Sequence, residues 1–174
     1  MLPVTDEDPA ATRFWQLIDS ARASGGSAAE LLAGRPRDEI VAARHTLDGL
    51  LATAHRSTLW AAACLVNGGC SDDGFDYFRG WLLTQGRTVF EAAIADPDSL
   101  ADVPAVRAAA AGGGELECED VLYLATTAHL TATGEPLLAG GLLTRLPPLE
   151  PDFDVEDPDE VRERLPRLAE LFES

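Results

Sequence analysis

Hydrophobic residues recur at three- and four-residue steps along most of this chain, which is the spacing of one face of an α-helix. The longest such stripe runs through residues 37–54, with Arg37, Asp38 and Asp48 outside it. Shorter stripes occupy residues 14–21, 88–95 and 121–130. No segment alternates with period two for long enough to make a convincing strand. The pattern therefore predicts an all-α, or nearly all-α, compact multi-helix single domain.

One segment, residues 59–66, is apolar on nearly every side, and we expect it to form the central helix of the core. Ser57 and Thr58 precede it and offer side-chain oxygens of the kind that cap helix N-termini. Gly68 and Gly69 follow it directly and indicate a tight turn.

Residues 67–87 form the densest combination of glycine, acid, aromatic and arginine in the chain. Ser71, Asp72 and Asp73 offer side-chain oxygens to the first free N–H groups of a new helix, which is an N-cap arrangement. Phe75, Phe78 and Leu82 then fall at i, i+3 and i+7, so we expect them to share the buried face.

The charged residues of the same helix are expected on a second, exposed face. Asp76 and Arg79 are three positions apart and can form an ion pair, as can Arg87 and Glu91 at i, i+4. Gly86 has the position of a helix-ending glycine with positive φ. The prediction is a short helix with an acidic N-terminal rim and two arginines on its flank.

The remainder of the chain divides by composition. A segment rich in proline and glycine separates a helical core from a last helical pattern, which Pro166 kinks or divides. We predict a flexible tail at 1–9, a helical core at 10–134, an extended wrapping segment at 135–156, and a C-terminal helix at 157–174 that packs on the core.

The charge of the chain restricts its partners. It carries 30 acidic against 13 basic residues, a net charge of −17, and every basic residue is arginine. Such a chain repels phosphate backbones, so we expect no nucleic-acid partner. It has no apolar run long enough for a membrane span and no signal-peptide pattern, so we expect no membrane association and a cytoplasmic location. A basic partner protein or a divalent cation fits the acidity.

Catalytic patterns are absent from the sequence. No nucleophile elbow, zinc-ligand spacing, phosphate-binding glycine loop or EF-hand loop is found, so catalytic residues and cofactors stay unassigned and no metal site is predicted. Cys64, Cys70 and Cys118 fit no redox or zinc pair. Cys70 precedes a predicted helix N-terminus, where a thiolate can be stabilised.

The most distinctive segment also points to a family. The run GGCSDDGFDYFRGWLLTQGR at residues 68–87, with FWQLI at 14–18 and PDSLA at 97–101, resembles the domain-of-unknown-function family numbered 4240. The resemblance extends over roughly residues 13–133. It implies a mostly helical domain, and it brings no established activity and no catalytic residues.

Two functional hypotheses use the same candidate residues. The candidate binding residues are Asp72, Asp73, Asp76, Arg79, Arg87, Trp60 and Trp81. In the first hypothesis they belong to a noncatalytic binding, interaction or regulatory module. Its face is the 67–87 segment with Trp15 or Trp60, and its partner is a protein or a small molecule.

The second hypothesis is an enzyme or metal-binding protein that uses the clustered carboxylates with Arg79 or Arg87. Glu119 and Asp120 join these carboxylates if the two helix starts meet. Helix capping, solvation and core packing explain the same acids and tryptophans without a ligand.

Overall fold

Every regular element in the described residues, which are 8–137, 146–149, 153–155 and 157–172 of a computed structural model, is helical. The all-α prediction is therefore confirmed. The α-helices are α1 (Pro9–Ser24), α2 (Ala28–Ala33), α3 (Arg37–Thr53), α4 (Ser57–Asn67), α5 (Asp72–Thr84), α6 (Arg87–Ala95), α7 (Pro104–Ala110), α8 (Leu124–Thr133), α9 (Pro158–Arg164) and α10 (Pro166–Phe172). Two 3₁₀ turns span Pro97–Asp102 and Asp120–Tyr123.

Helix α4 lies in the core, as its apolar sequence predicts. Leu59, Ala62 and Ala63 are fully buried and belong to one hydrophobic cluster with residues of α1, α3, α5 and α8. The predicted cap at Ser57 or Thr58 is wrong. Ser57 is itself the first residue of α4, and the N-cap position belongs to Arg56, whose side chain makes no capping hydrogen bond.

Two further details differ from the sequence expectation. The alanine- and glycine-rich composition of residues 108–114 predicts a flexible link, but helix α7 continues to Ala110, so the link begins only at Ala111. Leu130 in α8 is 51% exposed, although it was expected to pack. It follows the buried Ala128 by two residues, a rotation of about 200° around the helix, and therefore points to the opposite side.

The C-terminal helices are fastened to the core by a buried acid. Pro166 divides them, as predicted, and the backbone N–H groups of Arg167 and Leu168 donate to the Asp98 carboxylate at 3.1 and 2.9 Å. These donors are the free N–H groups of the first turn of α10, and Asp98 is only 6% exposed. Leu168 is fully buried beside them.

Much of the predicted tail and wrapping segment lies outside the described residues. Within them, α1 begins at Pro9 and Asp8 caps it, so the helical core starts one residue before its predicted boundary. In the 135–156 segment, the Pro147 carbonyl accepts a hydrogen bond from His55 Nδ1 at 2.9 Å, and Phe153 is 8% exposed.

None of the described helices has the length and hydropathy needed to cross a membrane.

Candidate functional site

The N-terminus of α5 is capped by Ser71 alone. Its Oγ accepts a hydrogen bond from the Gly74 N–H at 3.1 Å, as the sequence predicts for this stretch. Asp72 and Asp73 follow in the first helical turn, and both are exposed. Neither forms a side-chain hydrogen bond or an ion pair with any described residue. The two carboxylates are therefore not needed for the cap.

A second acidic segment lies against this end of α5. The Cys118 N–H donates to the Tyr77 carbonyl at 2.9 Å. Gly80 permits the approach, because a Cβ there would overlap the backbone carbonyl oxygen of Cys118. The contact brings Glu117 close to α5, since a Cβ added at Gly74 would be 3.6 Å from the Glu117 carboxylate.

The acids of the two segments affect the pKa of the same tyrosine. The pKa of Tyr77 is raised, chiefly by the negative charge of Glu119 and further by Asp73. We call Asp72, Asp73, Glu117 and Glu119 the acidic face. No arginine in the described residues forms an ion pair with any of the four.

Cys70 lies beside the acidic face, and its environment does not favour the thiolate that a position before a helix N-terminus can stabilise. The pKa of Cys70 is raised above its ordinary value, first by a hydrogen bond with Cys64 and then by burial, and the charges of Glu117 and Asp72 add to the effect. The Cys64 hydrogen bond, burial and the negative neighbours all favour the protonated thiol over the thiolate.

The acids approach one another only in part as the sequence suggested. Glu119 and Asp73 both act on Tyr77, so the start of α5 and the 115–120 segment do meet. In the described part of the chain, however, no three His, Cys, Asp or Glu side chains converge in a way that could hold a metal ion. Asp76 is paired instead with Arg79.

Arg79 is a structural residue of the core. It is 2% exposed, and its guanidinium donates to Asp76 and, at 2.6 Å, to the Leu51 carbonyl in the last turn of α3. It also lies over the Phe75 ring at 4.8 Å. The predicted ion pair is confirmed but its exposed location is wrong, because Arg79 follows Phe75 by one helical turn and shares its side of α5. A cation at the end of α3 satisfies a free carbonyl there.

The two candidate tryptophans also pack in the interior. Trp81 is 7% exposed and contacts Phe78 with ring centroids 5.2 Å apart. Trp60 is half-buried, stacks on Phe75 at 4.8 Å, and donates from its indole to the Cys70 carbonyl at 3.3 Å. Little of Trp81 can contact a partner, and Trp60 holds the turn that precedes α5.

Arg87 lies at the other end of the motif. Helix α5 has 13 residues and therefore separates Arg87 from Asp72 by about 20 Å. Arg87 forms the predicted ion pair with Glu91 at 2.6 Å and lines a hollow of about 330 Å³ with Trp15 and Phe90. The candidate residues are thus divided between two places and do not form one site.

A groove beside the acidic face was not expected from the sequence. It has a volume of about 670 Å³ and lies between the end of α1, the start of α2 and the 118–127 segment. Its walls are largely apolar, with Ile18, Val121 and Leu124 among them, while Asp120 supplies a carboxylate. Tyr123 lines it and is 54% exposed. The one sequence signal was this tyrosine, three positions after Asp120.

Comparisons with known proteins identify a family and no closer relative. Residues 10–130 match the model of the family described as "Protein of unknown function (DUF4240)", which confirms the resemblance inferred from the motif. No curated protein and no solved structure matches the chain. The matched region contains the acidic face and the groove but not α9 and α10. The chain therefore belongs to the DUF4240 family.

Proposed function

We propose that this member of the DUF4240 family is a noncatalytic interaction module that binds a basic segment of a partner protein in the groove beside the acidic face. The observation that carries the proposal is the groove itself, with its apolar walls and half-exposed Tyr123. Its volume of about 670 Å³ falls within the range of sites that enclose several side chains. An exposed aromatic residue at such a groove is a typical anchor for a partner.

The charge around the groove favours a cationic occupant. Asp120 lines the groove, and the acidic face adjoins it through Tyr77, whose pKa is affected by both Glu119 and Tyr123. Arg22 also lines the groove, but it is paired with Asp19 at 3.4 Å. With a net charge of −17, the chain attracts a basic segment over a long range at low salt and repels nucleic acid.

The enzyme hypothesis has less support from the geometry. Arg79 is bonded to Asp76 and Leu51 inside the core, so it does not reach a substrate beside Asp72. Arg87 stands at the far end of α5. We also propose a cytoplasmic location, which is supported by Cys70 and Cys118, because neither forms a disulfide with a described residue, as is usual in a reducing compartment.

A displayed library of random peptides, selected on the purified protein, tests the proposal. We expect the selected peptides to combine arginine or lysine with an apolar residue, and to bind less tightly as salt rises. Tyr123→Ala and Asp120→Asn should each lower the affinity for a selected peptide by roughly tenfold. Both residues line the groove, where Tyr123 contributes an aromatic anchor and Asp120 a negative charge.

The matched control for this experiment is Leu130→Ala. Leu130 is 51% exposed, close to the 54% of Tyr123, but it does not line the groove. Binding should survive in this variant. Equal loss in the control and in Tyr123→Ala, or peptides that bind all variants alike, would contradict the proposed groove.

A further inference from the structure

A second cavity, separate from the groove, opens between α1, α2 and α3. Its volume is about 530 Å³, and it shares no lining residue with the groove. Phe14, Leu17, Leu32 and Ala43 supply apolar walls, and Arg13 and Arg35 are among its polar lining residues.

These two arginines differ from all other arginines in the described residues. Seven of the others form ion pairs with acids. Arg37 bonds to His129, Arg56 to backbone carbonyls, and Arg164 lies over the Phe153 ring. Among the arginines of the described residues, only Arg13 and Arg35 have side chains without a hydrogen bond, ion pair or ring contact to another described residue, and both line the same cavity.

Arg13 and Arg35 are both exposed, and neither is paired with a carboxylate of the described residues, although the chain carries 30 acidic residues. Two guanidinium groups that line one cavity can both attract an anion bound there. Guanidinium groups bind carboxylate and phosphate oxygens in pairs of parallel hydrogen bonds, which fixes both position and orientation.

We infer that this cavity binds a small organic anion, with its carboxylate or phosphate held by Arg13 and Arg35 and an apolar body against Phe14, Leu17 and Leu32. Two acids also line the cavity: Asp19 is paired with Arg22, whereas Glu39 forms no ion pair with a described residue. Glu39 selects ligands that present a hydrogen-bond donor toward it, such as a hydroxyl or ammonium group. A volume of 530 Å³ suits a ligand of metabolite size.

The test is a set of NMR titrations of the full chain, read from backbone amides such as those of Ala42 and Ala43, which line the cavity. The probes are 3-phenylpropionate, inorganic phosphate, 3-phenylpropanol and 3-phenylpropylamine. We expect saturable shifts with 3-phenylpropionate at a dissociation constant on the order of 1 mM, the affinity usual for a ligand of this size. The alcohol and the amine should bind at least roughly tenfold more weakly, because they lose the charged hydrogen bonds.

The double substitution Arg13→Gln with Arg35→Gln should lower the affinity for 3-phenylpropionate by roughly tenfold or more. The matched control is Arg107→Gln with Arg162→Gln, which removes the same charge from two arginines that are 60% and 51% exposed and lie away from the cavity. The control should bind like the wild-type protein.

Saturation by phosphate alone, lost in the Arg13 and Arg35 variant, would support the same site with phosphate as the preferred anion. The inference is overturned if neither anion gives saturable shifts up to about 20 mM, well above the expected constant. It is equally overturned if 3-phenylpropylamine binds with the same affinity as 3-phenylpropionate, or if the two double variants lose the same amount of affinity. None of these outcomes depends on the groove, so the proposed function is tested separately.

Discussion

The first turn of α5 and its middle carry opposite charges in opposite surroundings. Asp72 and Asp73 are exposed and have no arginine partner among the described residues. Arg79, two turns later, is 2% exposed and bonds to Asp76 and the Leu51 carbonyl. A buried charge is tolerated only when it is bonded, so Arg79 serves the fold. Exposed carboxylates beside other carboxylates contribute little to stability and stay available for a partner.

The comparison separates structure from recognition within a single motif. The segment from Phe75 to Leu83 owes its unusual composition to packing, including a buried arginine, a glycine at a helix crossing and an interior tryptophan. Only its first turn, with the neighbouring 117–120 segment, has the exposure and charge of a binding surface. Substitutions in the two parts should accordingly have different consequences.

The largest effect is expected from Gly80→Ala. The added Cβ would overlap the Cys118 carbonyl oxygen, which belongs to backbone and cannot move as a flexible side chain could. We expect a loss of about 3 kcal/mol in the free energy of unfolding, the upper part of the range for overpacking. Chemical denaturation followed by circular dichroism measures it. An unchanged midpoint would show that the 115–120 segment does not pack on α5.

Arg79→Met is expected to cost about 2 kcal/mol, because the Leu51 carbonyl loses a charged hydrogen bond in a buried position. Arg87→Met provides the comparison, since the Arg87–Glu91 pair is partly exposed, at 30% and 56%, and such pairs contribute less than about 1 kcal/mol. Thermal melts of both variants decide the matter. A larger loss for Arg87 than for Arg79 would reverse the assignment of roles.

Gly86→Val should reduce the free energy of unfolding by about 1–2 kcal/mol. Gly86 lies between α5 and α6 with a φ of +91°, a backbone conformation that residues with a Cβ rarely adopt. The melting temperature should fall measurably, whereas Gly114→Val, at a glycine with open space around it and no positive φ, should change it little.

Ser71→Ala should cost about 1 kcal/mol, since Ser71 is the N-cap of α5. Asp73→Ala should cost only about 0.5 kcal/mol, which is the usual contribution of an acid near a helix N-terminus. Asp73→Asn should behave similarly. Equal losses for Ser71→Ala and Asp73→Ala in denaturant titrations would mean that both residues cap the helix.

Much of the helical framework could be predicted from the sequence because it depends on local signals. The 3.6-residue periodicity located α3 and α5, Pro166 marked the division before α10, and Gly86 was recognised as a glycine with positive φ. Each of these is decided within a few residues of the chain, so no tertiary contact is needed to infer it.

The candidate site was less predictable because it depends on which distant segments meet. Arg79 was expected at the surface. Its burial depends on a hydrogen bond to the Leu51 carbonyl, 28 positions away, which no local pattern reveals. The groove needs α1, α2 and the 118–127 segment together, and no local pattern in the sequence shows that these segments meet. Asp98 had no recognised role until α10 was seen to place two N–H groups on it.

The most direct test of the acidic face compares stability and binding in one pair of variants. Asp73→Asn with Glu119→Gln removes two charges from it, and Glu30→Gln with Asp38→Asn removes two from exposed acids elsewhere. We predict that both proteins melt close to the wild-type temperature, while only the first loses affinity for a selected basic peptide, by roughly tenfold. Undiminished binding by the first variant, or equal loss in both, would contradict the assignment of this face to partner binding.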